Sequence, residues 1–249
     1  MTVPKSHPRY ESLMRRERLI EGYKSGLVAE AGLMAHGRGE AFDYLLGECT
    51  IPQAEEAELA AASLLMSAEN PVISVNGNVA ALCPEALVEL AKAIPAKLEV
   101  NLFYRTEERV AKIVKHLETH GAENVLGANP DAQIPGLEHA RGLCTKEGIF
   151  SADVVLVPLE DGDRVQALRD MGKTTIVIDL NPLSRSARAG SVTIVDEVTR
   201  AIPNITAFAR EMKGQPLVSD FDNQANMRRA IDRITHALFE IRCAYVPRK

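Results

Sequence analysis

The chain has 249 residues, 46% hydrophobic and 25% charged, an ordinary globular composition with enough apolar material for one sizeable core. Its formal net charge of -5 offers no overall basic field to nucleic acid or anionic lipid, so any bound anion must be held by local arginines. No apolar run approaches the roughly 18 residues of a membrane span, the first residues lack a signal-type apolar segment, and four scattered cysteines without a C-x-x-C pair predict buried free thiols rather than a disulfide or zinc site.

The first fifty residues read as helical. Tyr10 to Ser25 carries Leu13, Ile20 and Tyr23 among charges, and a second segment leads into Met34–Glu48. There two glycines bracket Arg38, and His36, Glu40 and Asp43 crowd what reads as a short loop and helix start. That placement favours close backbone approach to an anion and bidentate recognition by the guanidinium. Pro52 then opens an Ala/Leu-rich helix to about Glu69.

From there short apolar runs alternate with amphipathic helices. Strands are predicted at Val72–Val75, Leu98–Leu102, Asn124–Leu126, Val154–Val157, Thr175–Ile178 and Val192–Val195. Helices are predicted at Pro84–Ala93, Glu107–Thr119, Arg164–Met171 and Glu197–Met212. This alternation predicts an α/β fold of Rossmann-like, three-layer type, with a mostly parallel sheet covered on both faces. The whole reads as a single domain: a helical segment 1–50, a core 51–213 and a helical extension 214–249. In that extension Met227, Ile231, Ile234, Leu238 and Ile241 form a stripe that packs on the domain or on another subunit.

Polar clusters fall after the strands: Asn76-Gly77-Asn78, Phe103 to Arg109, Pro158 to Arg164, Asp179 to Ser186, and Asp196-Glu197. Open α/β sheets bind ligands beyond the carboxyl ends of their strands, so these turns predict one crevice lined by Asn, Arg, Asp and Ser. Asn76-Gly77-Asn78 is also compatible with a plain turn and helix cap. Thr106 with Glu107 and Glu108 is a helix start, which leaves Arg105 as the ligand candidate of that turn. Glu160 to Asp163 reads equally as a solvated acidic turn or as a site for Mg²⁺ or an amine. Asp179, Asn181, Ser184 and Arg185 supply acceptors and donors suited to a nucleoside.

Two apparent motifs fail. Gly172-Lys173-Thr174 precedes its strand, and the first P-loop glycine would fall on Ala167; Gly37-Arg38-Gly39 is not completed as G-x-G-x-x-G, and no strand comes before it. Nicotinamide cofactors lose their main support. His116, His120, His139 and His236 carry no assignment.

The segments H-P-R-Y from His7, H-G-R-G-E-A-F-D-Y-L from His36, S-V-N-G-N from Ser74, N-L-F-Y-R-T-E-E-R from Asn101, I-P-G-L-E-H from Ile134, P-L-E-D-G-D-R from Pro158 and D-L-N-P-L-S-R-S-A from Asp179 resemble the archaeal phosphopantothenate synthetase family. The resemblance spans about Lys5 to Met212. It implies a cytosolic homodimer that joins 4-phosphopantoate to β-alanine with ATP, releasing AMP and pyrophosphate in coenzyme A synthesis. By the family's pattern ATP contacts fall on Arg16, Arg38, Asp179, Leu180, Asn181, Arg185, Ser186, Glu197 and Val198; Glu197 stands where the family's pattern has Asn, a change that a backbone contact survives and that puts a side-chain amide contact in doubt.

The residue chemistry agrees with such a ligase, which must activate a carboxylate and needs cations near phosphates, with Mg²⁺. Arg16 and Arg38 are expected on the triphosphate, Asp179 and Asn181 on the nucleoside, and Asn76, Asn78 and Arg105 on phosphopantoate. Arg38, Asn78 and Asp161 are the catalytic candidates, with an acidic residue of 160–163 for the β-alanine ammonium or the metal. The rivals are a non-catalytic ATP sensor and a small-molecule kinase.

Overall fold

The computed structural model describes residues 3–213 and 220–245, with side chains through residue 240. Helices α1 (Tyr10–Lys24), α2 (Glu30–Leu46) and α3 (Pro52–Ser67) lead into strand β1 (Val72–Val75). Then come α4 (Gly77–Leu82), α5 (Pro84–Ala93), β2 (Lys97–Val100) and α6 (Glu107–Thr119). A two-stranded antiparallel excursion, β3 (Ala132–Gln133) and β4 (Leu143–Cys144), precedes β5 (Val154–Pro158), α7 (Gly162–Asp170), β6 (Thr174–Ile178), α8 (Arg185–Ala189), β7 (Val192–Ile194), α9 (Val198–Glu211) and α10 (Asn223–Tyr245).

The main sheet runs β2-β1-β5-β6-β7 with every pairing parallel. Chain progression reverses at β1, which makes the β1–β5 boundary the topological switch point, where such sheets open a crevice. Side chains alternate across the pleat. Ile73, Val75, Leu98, Val100, Leu156 and Ile176 join the buried cluster of α3, α5 and α9, whereas Val72, Val155, Val157 and Val177 face α7 and the excursion. These are the three predicted layers.

Three expectations change. Asn124–Leu126 contributes only an isolated parallel bridge from Leu126 to Glu99. Asn124 (φ 51°) and Gly127 (φ 105°) take left-handed backbone on either side and end the extended run. The predicted loop around Arg38 lies inside the continuous helix α2. A β-carbon on Gly37 would meet nothing within 4 Å, so this chain's own packing does not demand that glycine. Finally, Cys83 and Cys144 are buried free thiols as expected, but Cys49 is exposed.

Helix α10 packs its first half on the chain itself. Met227 and Ala230 are buried, Ile231 is half-buried, and Ile234 packs against the cluster of Leu46, Ile51, Leu180 and Val195. Leu238, farther along the stripe, is exposed. The side chain of Ile241 and the start of the extension at 214–219 lie outside the described residues. Among the described residues no helix is long and apolar enough to cross a membrane.

Candidate functional site

The turns after β1, β2, β5, β6 and β7 converge on a single cavity of about 840 Å³, closed on another side by α2 from Ala29 to Gly39. That volume lies near the top of the ~300–1,000 Å³ range of small-molecule sites. Asn76 pins the switch point. Its Oδ1 accepts from Asn78 N at 3.0 Å and Val79 N at 3.1 Å, capping α4, and its Nδ2 donates to Pro158 O at 2.9 Å and Leu159 O at 3.1 Å across to β5. With both donors and both acceptor directions occupied, Asn76 is part of the scaffold as well as the wall. Gly77 is obligatory here, because a β-carbon would stand 2.2 Å from Leu27 O. Asn78 also lines the cavity and donates Nδ2 to Gly32 O at 2.8 Å, fixing α2 against α4.

On the β6 side, Asp179 folds its own loop: Oδ1 accepts from Asn181 N at 2.9 Å and Oδ2 from Ser184 Oγ at 2.5 Å. Burial pushes its carboxyl above the usual range, and these bonds oppose the shift. Asn181 Oδ1 accepts from Leu183 N at 2.9 Å, Ser186 Oγ donates to Glu160 O, and Arg185 reaches Asp163 at 3.0 Å from an exposed position. Glu197 caps α9 through Thr199 N at 2.7 Å; burial raises its carboxyl, and Arg15 opposes the rise. Leu180, Val198 and these polar residues all border the cavity, so the structure brings the whole 179–186 and 197–198 set together.

The α2 stretch divides into scaffold and wall. Asp43 is buried, accepting from Arg15 Nη1 at 3.2 Å and Arg200 Nη2 at 2.5 Å, which ties α2 to α1 and α9. Glu40 accepts from Arg16 Nη2 at 2.6 Å; burial alone would raise its carboxyl, but the guanidinium holds it below the usual range. Arg16 is therefore paired and does not border the cavity. Arg38 is exposed on the wall, and His36 beside it is pushed below its ordinary value, first by burial.

Arg105 also stands outside the lining. Its Nη2 donates to Gly127 O at 2.6 Å, closing the loop that follows the failed third strand. The guanidiniums that face the cavity from this side are Arg109 and Arg141. Glu160, expected to belong to an acidic turn, is buried between Arg141 and Arg164, the latter at 2.6 Å. Burial raises its carboxyl and the two cations outweigh that, leaving it lowered. Asp161 is left half-exposed on the wall, 3.8 Å from Arg141 Nε.

Sequence held one signal for Arg109: a cation in the first turn of a helix opposes the macrodipole and needs another reason to be there. Arg141 gave none, since it sits in a short 3-10 turn within a stretch that reads as loop.

A doubly wound parallel sheet with a polar cavity at its switch point, walled by arginines, defines an α/β protein built to hold anionic small molecules. The family model for phosphopantothenate/pantothenate synthetase matches residues 53–237, and the chain belongs to that family. It is 56% identical over 244 residues to a 4-phosphopantoate–β-alanine ligase of Thermococcus onnurineus, covering 94% of each chain. To the ligase of the same name from Thermococcus kodakarensis it is 58% identical over 230 residues, 90% of this chain and 88% of the relative. To that of Methanosarcina mazei it is 51% identical over 242 residues, 95% of each.

Proposed function

We propose that this chain is an ATP-dependent 4-phosphopantoate–β-alanine ligase of coenzyme A synthesis. The observation that carries the reading is the convergence of five strand-end turns on one cavity whose walls hold Arg38, Arg109, Arg141 and Arg185, more cationic surface than one nucleotide needs. The relatives' shared name supplies the substrates.

In this reading the ribose and base lie against Asp179, Leu180 and Asn181, with exposed Leu183 and Met34 as apolar surface for the base. Arg38, Arg185 and Ser186 face the phosphates, and the backbone at Glu197 and Val198 closes that end. Arg16 joins them only by leaving Glu40. A carboxylate oxygen of phosphopantoate attacks the α-phosphorus of ATP, and pyrophosphate leaves. The β-alanine amine then attacks the acyl carbon, AMP leaves, and the amine gives up a proton. Arg38 offsets charge that develops on the phosphoryl oxygens, Asn78 sets the acid beside it, and Asp161 attracts the ammonium of β-alanine. Among the described residues no three His, Cys, Asp or Glu side chains are grouped to hold a metal. A Mg²⁺ carried in on the triphosphate would need only one or two protein carboxylates, and Asp161 could serve it only in place of the ammonium.

Product analysis decides. With phosphopantoate, β-alanine and ATP the ligase yields AMP and pyrophosphate, a kinase ADP, and a sensor no product. The reading includes a homodimer, whose distal α10, with exposed Leu238 and Phe239, is available for the interface. A light-scattering mass near 27.2 kDa at micromolar concentration refutes the dimer.

A further inference from the structure

Two guanidiniums that no substrate assignment has used face the cavity on its β2 side. Arg109 donates Nε to Leu27 O at 3.0 Å and Nη1 to Tyr104 O at 2.8 Å, so among the described residues its hydrogen bonds end on neutral carbonyls. Its neighbour Arg141 is 5% exposed, donates Nη2 to Glu160, and keeps a buried Nε with no hydrogen-bond partner. Behind it Arg164 is fully buried, shares the same carboxylate, and leaves Nε and Nη2 without hydrogen-bond partners. Arg109 and Arg141 line the same cavity, and burial, then the charge of Arg141, lower Arg109 from its ordinary value. Like charges held together in a partly dry wall oppose folding unless an anion sits between them. Glu160 faces Arg141 and Arg164, Asp161 stands 3.8 Å from Arg141 Nε, and buried Glu99 acts on Arg164, whereas among the described residues Arg109 forms no ion pair, so the anion that balances it must come with the ligand.

We propose that Arg109 and Arg141 clasp the phosphate monoester of the acid substrate and are the residues that distinguish the phosphorylated acid from its free alcohol. This rests on the ligase reading and replaces Arg105 as the source of that specificity. Strand order supports the division of labour. The Arg109–Arg141 end follows β2, and the Asp179–Arg185 end follows β6, three strand positions away, ~14 Å at sheet spacing. An acid anchored by its phosphate at the first end extends its carboxylate over the β1–β5 switch point toward the nucleotide at the second.

The test compares wild type with Arg109→Met, Arg109→Lys and Arg141→Lys. It measures phosphopantoate and ATP affinities separately by calorimetry, and turnover with phosphopantoate and with pantoate. Arg109→Met should weaken phosphopantoate by about ten- to a hundredfold, leave ATP affinity unchanged, and reduce the preference over pantoate by the same factor. Arg109→Lys should recover part of the loss. Arg141 variants strip a partner from buried Glu160 and can fail to fold, so Arg109→Met, which breaks no ion pair, decides, with its melting curve recorded alongside. Unchanged phosphopantoate affinity, an equal loss for pantoate, or a loss that falls on ATP overturns the assignment. A wild-type chain that releases no AMP with phosphopantoate and β-alanine overturns the ligase reading itself, a separate outcome.

Discussion

Glu160→Gln is the sharpest test of how the cavity floor is held. The carboxylate is buried, accepts from Arg141 and Arg164, and anchors its own loop by accepting from Asp161 N at 2.8 Å. Glutamine keeps the shape and one acceptor but removes the negative charge that two guanidiniums, 0% and 6% exposed, share. Breaking a buried pair this way costs about 3–5 kcal/mol, because the cations stay behind uncompensated. For a chain of this size that corresponds to a fall in Tm of ~6–20 °C. Replacing the pair together, as Glu160→Leu with Arg164→Met, should cost less than the sum of the single changes, since it removes one of the two stranded charges as well. The pH dependence has a definite sign. A carboxyl lowered in the folded state contributes stability that is present above its unfolded value, about 4.3, and is lost as pH falls through the folded value. Glu160→Gln should therefore lack that part of the acid limb. Urea unfolding by circular dichroism at pH 7 and pH 4 measures both effects. A pH 7 loss below about 1 kcal/mol, within the range of exposed pairs, would refute the picture of a dry floor held by this carboxylate.

Arg38→Lys keeps its charge but loses the planar fork, and should weaken ATP at least tenfold by calorimetry, on the order of one charged hydrogen bond; unchanged affinity would return Arg38 to the solvated surface. Glu58, raised to about 9 first by burial and then by Asp196, is protonated at neutral pH. The folded state therefore holds a proton the unfolded chain lacks, and stability should fall as pH rises from about 4.5 toward 9; Glu58→Gln should flatten that slope in pH-resolved melts, and an unaltered slope would place its cause elsewhere. Gly37→Ala, inside α2 with open space around it, should stabilise the free protein by ~0.5–1 kcal/mol, whereas Gly77→Ala should destabilise it through the clash with Leu27 O. If Gly37→Ala also weakens ATP binding, the open space is where the nucleotide approaches; full activity removes that role.

The strand and helix alternation after Pro52, the parallel sheet and the gathering of polar turns at its strand ends were all legible in the chain, because a period of two or of 3.6 in apolar residues is a local signal. Glycine punctuation misled at Gly37 and Gly39. Tertiary ties from Asp43 to Arg15 and Arg200 hold α2 helical through both. Asn124 to Leu126 read as a strand, but Asn124 itself and Gly127 after it take left-handed backbone. Pairing was beyond local reading. Asp43, Glu40 and Glu160 resemble ligand carboxylates in the sequence, yet each is committed to arginines 24 or more positions away, or, for Glu160, to Arg141 and Arg164 on either side. Which arginine faces the cavity and which closes a loop depends on a guanidinium's nearest acceptors in space, and chain folding alone decides those. Composition and periodicity thus determined the scaffold and the end of the sheet where the site opens. Only the tertiary structure separated Arg38, Arg109 and Arg141 on the wall from Arg16 and Arg105 behind it, because desolvation and pairing act over a few ångströms that sequence separation does not measure.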